Sequence, residues 1–90
     1  MAEPINFLQL YVLFESNSDV VREAVEKALT DLGFELEQEE DMGFIFTLYD
    51  FESFSHTANS ILEELKPFKE AISIANLYHM QQVTSEVLAL

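Results

Sequence analysis

"ELEQEEDMGFIFTLYDFE", residues 35–52, holds seven carboxylates and no lysine or arginine. Its first part alternates in extended chain, with Phe34, Leu36 and Gln38 on one side and Glu35, Glu37 and Glu39 on the other. "EEDMG" (39–43) supplies a turn, and "FIFTLYDFE" (44–52) is rich in aromatic and β-branched residues. The segment reads as a hairpin: a half-exposed acidic strand at a sheet edge, paired to an apolar strand in the sheet's interior.

The flanking sequence completes the pattern. Residues 5–14, "INFLQLYVLF", read as a strand that is apolar on both faces. After "ESNSD", with Ser16 or Ser18 as N-cap, Val21, Ala24, Val25, Ala28, Leu29 and Leu32 recur at helical spacing, and Gly33 stands at a C-cap position. A second helix follows over "SFSHTANSILEEL" (53–65), capped by Ser53 or Ser55 and ended or kinked by Pro67. "AISIANLYHMQQV" (71–83) is the last expected strand, and "TSEVLAL" (84–90) has no clear periodicity. The order β-α-β-β-α-β predicts one α+β domain over residues 1–90. The expected fold is a ferredoxin-like sandwich, a four-stranded antiparallel sheet with two helices on one face.

That fold leaves the other sheet face open. With Leu8, Leu10, Val12 and Phe14 toward the helices, Phe7, Tyr11 and Leu13 point outward. For the third strand, one phase sends Phe44, Phe46 and Leu48 outward and Ile45, Thr47, Tyr49 and Phe51 inward; the other phase reverses this. Either way apolar side chains stand on the open face, and a contiguous apolar patch of more than a few hundred Å² marks a contact surface. Tyr11, Phe44 and Phe46 are the expected apolar contact or dimer face. A fold-back of residues 84–90 over that face is the intramolecular alternative.

"MGFIFTLY" (42–49) resembles in part the third-strand signature of the RNA-recognition motif, with Gly43, Phe44, Phe46 and Tyr49 at matching positions, and Tyr11 falls where the first-strand motif has its aromatic. The resemblance implies the same strand–helix order. It departs from the family at Met42, which replaces a basic residue, and at Ile45, which replaces Gly or Ala. Only the topology is therefore carried over.

Charge dominates the functional reading. The formal net charge is −13, and residues 1–70 hold sixteen of the seventeen acids and all four bases, so that residues 71–90 contribute only Glu86. Such a field repels nucleic-acid backbones and anionic membranes and steers basic partners inward. Glu35, Glu37 and Glu39, evenly spaced at about 6.7 Å, match the separation of about 7 Å between neighbouring phosphates of one DNA strand. With Glu40 and Asp41 they form the expected electrostatic contact for a basic protein surface, such as that of a nucleic-acid-binding protein. Charges on an edge strand also simply discourage aggregation.

In size and charge the chain resembles small acidic inhibitors such as anti-CRISPR and anti-restriction proteins. A homodimer enclosing a small-molecule site between packed sheets is the alternative expectation. The chain has no cysteine, no calcium-binding loop in "EQEEDMG", no phosphate-cradling glycine run and no nucleophile elbow. His56 and His79 would need to converge with Asp50 or Glu52 to make a catalytic site. No enzyme activity, cofactor or metal is expected. The N-terminal "MAEPINF" has no secretory pattern and the longest apolar run, "LYVLF", is too short to span a bilayer, so the expected location is cytoplasmic.

Overall fold

A computed structural model describes residues 6–16 and 18–90. The elements are β1 (Leu8–Phe14), α1 (Asp19–Asp31), β2 (Glu35–Glu40), β3 (Gly43–Leu48), α2 (Phe54–Leu65), a 3₁₀ turn (Lys66–Phe68), β4 (Ile72–His79) and β5 (Thr84–Val87). All strand pairs are antiparallel, in one sheet of order β2-β3-β1-β4-β5. The expected start of the first strand at Ile5 lies outside the described residues. None of the helices described is long and apolar enough to cross a membrane.

The helices begin and end where the sequence signals stand. Ser18 caps α1, its hydroxyl facing the Val21 N–H at 3.5 Å. Ser53 caps α2, accepting from the His56 N–H at 3.1 Å. Gly33 follows α1 with φ of 102°, a left-handed conformation that costs a residue without Cβ little. Its N–H donates to the Thr30 carbonyl. Both helices cover the same sheet face. Val25 and Leu29 of α1, and Ile61 and Leu65 of α2, share one buried cluster with Leu8, Leu10 and Val12.

Three expectations are corrected. First, the sheet has five strands rather than four. Residues 84–87 pair with β4, and Leu88 and Leu90 then tuck into the helix-side core, so the C-terminal segment extends the sheet instead of folding over its open face. Second, Phe44 and Phe46 point inward. Pairing of Val12 with Phe44, Leu10 with Phe46 and Leu8 with Leu48 sets all six side chains on the helix face. Phe44 and Phe46 meet edge to face at 5.5 Å, and both are buried. This phase wins because Phe44, Phe46 and Leu48 bury more apolar surface than Ile45 and Thr47 would, and a fully buried Phe or Leu contributes about 1.5–3 kcal/mol.

The third correction is in β2. Pairing runs Glu35 to Thr47 and Leu36 to Phe46, then skips Glu37 and resumes with Gln38 to Ile45 and Glu39 to Phe44. One extra residue in a strand exchanges the faces of everything after it. Gln38 therefore turns to the open face and Glu39 to the helix side, opposite to a strict alternation. The evenly spaced row of Glu35, Glu37 and Glu39 does not exist.

Glu39 crosses over to meet Arg22, which is only 7% exposed on the inner side of α1. One guanidinium nitrogen donates to the Asp41 carbonyl at 2.9 Å. The other donates to the Glu40 carbonyl at 2.7 Å and to Glu39 Oε1 at 3.1 Å. The guanidinium also lies over the Phe44 ring at 4.6 Å and faces the Phe14 ring at 5.6 Å. Arg22 thus satisfies the carbonyls of the β2–β3 turn and fastens that turn to α1. Arg22→Ala should destabilise the fold by about 3 kcal/mol, since hydrogen bonds to charged groups contribute about 1.5–3 kcal/mol and the ring contacts are lost as well. Arg22→Lys, lacking the planar fork, should recover less than half of that loss. Urea denaturation of the three proteins checks both values.

Candidate functional site

The open face is built from positions 9, 11 and 13 of β1, 43, 45 and 47 of β3, and 74, 76 and 78 of β4, where a register shift after Leu13 turns Ile72 to the helix side. Tyr11 sits mid-sheet, opposite Ile45 on one side and Asn76 on the other. Leu13 is opposite Ile74, and Gln9 is opposite Thr47 and Tyr78. Val87 of β5 is opposite Asn76. Asn76 donates its amide to the Tyr78 hydroxyl at 3.1 Å, and its own Oδ1 is buried without a partner. Among the described strand residues, the carboxylates of this face stand at one margin: Glu35 opposite Thr47, Glu40 opposite Gly43, and the bulged Glu37.

Tyr49 joins the margin to the face. Its ring packs against Phe7 at 5.7 Å, its hydroxyl donates to Glu37 Oε1 at 3.3 Å, and it is 60% exposed. The negative charge of Glu37, foremost, raises the phenol above its ordinary pKa, with desolvation and the charge of Glu35 acting in the same direction. The result is an exposed aromatic ring beside two carboxylates, a pairing that suits a lysine or arginine side chain by cation–π attraction and charge-assisted hydrogen bonding.

The five acids singled out from sequence are therefore not equivalent. Glu35 and Glu37 flank Tyr49, Glu40 accepts from the Gln38 amide at 3.3 Å, Glu39 is held by Arg22, and Asp41 is exposed at the turn. Tyr11 lies on the open face as expected, whereas Phe44 and Phe46 do not. Tyr49, Ile74, Tyr78 and Val87 were not among the sequence candidates. Tyr49 could have been found from its phase, because Gly43, Ile45 and Thr47 share its side of β3 and are the less apolar set.

The histidines do not converge. His56 is exposed and pairs with Glu52 at 3.3 Å one turn away. His79 is buried, stacked on Phe54 at 6.0 Å and edge-on to Phe51 at 5.4 Å, with Nε2 at 3.0 Å from Asn6 Oδ1. A groove of about 360 Å³ beside α2 brings Asp50, Glu52 and His56 to its lining together with Leu48 and Phe51. Among the described residues, no three His, Asp or Glu side chains are grouped to hold a metal ion.

Comparison with protein-family models, with curated proteins and with solved structures finds no match to this chain.

The Tyr49 environment can be read directly. In Glu37→Gln the Tyr49 phenol should titrate at lower pH than in the wild type, because the charge that opposes a neighbouring phenolate is gone. Ring-carbon NMR titration of the three tyrosines checks this. An unmoved Tyr49 would show that Glu37 does not govern the site's electrostatics.

Proposed function

We propose that the chain is a non-catalytic protein-interaction domain, a ferredoxin-like sandwich with an added fifth strand. Its acidic β2 margin recognises a basic protein surface and blocks or regulates it. The observation that carries this reading is the exposed Tyr49 ring flanked by Glu35 and Glu37, in a chain of net charge −13. A cationic side chain of the partner lies against Tyr49 and donates hydrogen bonds to the two carboxylates. Asp41 and Glu40 extend the negative field around the turn.

The long-range field supports fast encounter with a basic partner and repels polyanions, so the contact is with protein rather than nucleic acid. Nucleic-acid-binding proteins carry basic patches of this kind and are the favoured partner class. The contact does not depend on a phosphate-like spacing. Its strength comes from the summed field and from the aromatic corner, since single exposed ion pairs contribute only about 0–1 kcal/mol.

Charge reversal tests this without harming the fold, provided that Glu39 is spared because it holds Arg22. Wild-type protein and the double variant Glu35→Lys/Glu37→Lys are immobilised and exposed to lysate of the source cells at low and at high salt. Basic proteins should be retained by the wild type at low salt, released at high salt, and bound at least tenfold more weakly by the variant, a difference of about 1.4 kcal/mol or more. Retention that is equal on both proteins would contradict the proposal.

A further inference from the structure

Beyond the acidic margin, the open sheet face itself is uncharged. Tyr11, Leu13, Ile45, Ile74, Tyr78 and Val87 form its apolar part, and Ile74 and Val87 are 41% and 64% exposed. Glu86, the one acid of residues 71–90, is opposite Leu77 and therefore stands on the helix side of the sheet. The side chains that β1, β3, β4 and β5 present to the open face include no ionisable acid or base except tyrosine.

We infer that this face binds a second copy of the chain, sheet against sheet, in a two-fold dimer whose axis runs parallel to the strands. Three features on the molecule select that occupant. A patch without charge is complementary to itself, whereas the basic partner proposed above is drawn to the opposite margin. A two-fold axis along the strands, centred between β1 and β4, places β3 of one copy over β5 of the other and leaves each acidic β2 uncovered at the side. The two β2 strands then lie on opposite sides, about 24 Å apart across five strand spacings, which exceeds two Debye lengths of about 8 Å at physiological salt.

The area fits a dimer of modest strength. The four uncharged strands, spaced at about 4.8 Å and about 20 Å long, present about 380 Å² in projection. Two copies therefore cover about 760 Å², more once side-chain relief is included, which is the size of a weak, transient contact. The dimer is accordingly reversible and concentration-dependent. It turns two acidic margins outward, one at each side, and so makes the proposed partner contact bivalent.

Salt separates the two ideas, because it weakens an acid–base contact and strengthens association of two like-charged copies through an apolar face. Sedimentation velocity of the full chain, from micromolar to millimolar concentration and at low and high salt, is the test. The expected result is a monomer–dimer equilibrium that tightens with salt. Ile74→Glu and, separately, Val87→Glu should weaken it at least tenfold with unchanged circular dichroism, and both positions are exposed enough to accept the change. Val20→Glu, which adds the same charge on α1 at a site 79% exposed, should leave it unaltered.

Edge pairing of β5 strands is distinguished by Ser85→Pro. The Leu88 N–H donates to the Ala75 carbonyl, and the two-residue period of the ladder directs the Ser85 N–H away from β4, so proline there removes an outward donor only. The dimer should survive it. A chain that stays monomeric at every concentration in high salt would overturn the inference. So would a dimer insensitive to both Ile74→Glu and Val87→Glu, one weakened equally by Val20→Glu, or one abolished by Ser85→Pro.

Discussion

A single arginine holds the acidic half of this domain together. Arg22 reaches from α1 to two carbonyls of the β2–β3 turn and to the Glu39 carboxylate, with phenylalanine rings beneath it. A buried guanidinium without such partners would be costly, and turn carbonyls facing a helix without a donor would be costly too. Each requirement meets the other. The bulge at Glu37 is the geometric companion of this contact, since only after that extra residue does Glu39 face the helix side. The same step sends Glu40 to the margin of the open face, which Glu35 already occupies, and Tyr49 bonds the bulged Glu37 there.

Much of the architecture was legible in the residues because it rests on local periodicity. The stripe of Val25 and Leu29, the caps at Ser18 and Ser53, and Gly33 after α1 are each written within one helix length of sequence. The edge position of β2 and the interior positions of β1 and β3 follow from the β-α-β-β-α-β order and agree with their apolar content. What escaped depends on contacts distant in the chain. "ELEQEE" keeps its alternation through residue 39, past the bulge, so nothing local marks the residue at which the pairing slips. "TSEV" has four exposed side chains and no buried face to announce a strand. The phase of β3 is ambiguous because aromatic residues occupy both sets, although Gly43 and Thr47 on the outer side were a usable hint. Arg22 also stood in the inward stripe, three residues before Val25 and seven before Leu29, and its place there signalled a buried cation.

The corrected geometry sharpens the functional reading. A regular row of carboxylates would have favoured imitation of a phosphate backbone, and the bulge removes that regularity. What remains is a division of labour across one sheet. The β2 margin carries charge and an exposed tyrosine, and the rest of the open face carries apolar side chains without charge. Electrostatic steering reaches about a Debye length beyond contact and apolar burial acts only on contact, so the proposed reading assigns the two regions different approaching surfaces. A fifth strand that widens the neutral part while adding its one acid to the other face fits this division.

Amide hydrogen exchange of Arg22→Met, followed residue by residue, tests the central claim that the Arg22 clamp fixes the β2–β3 hairpin and its bulge. The account predicts a selective loss of protection in β2, the turn and Phe44, while amides shared between β1 and β4 keep the protection they have in the wild type. Uniform loss across the whole sheet, or unchanged protection in the hairpin, would contradict it.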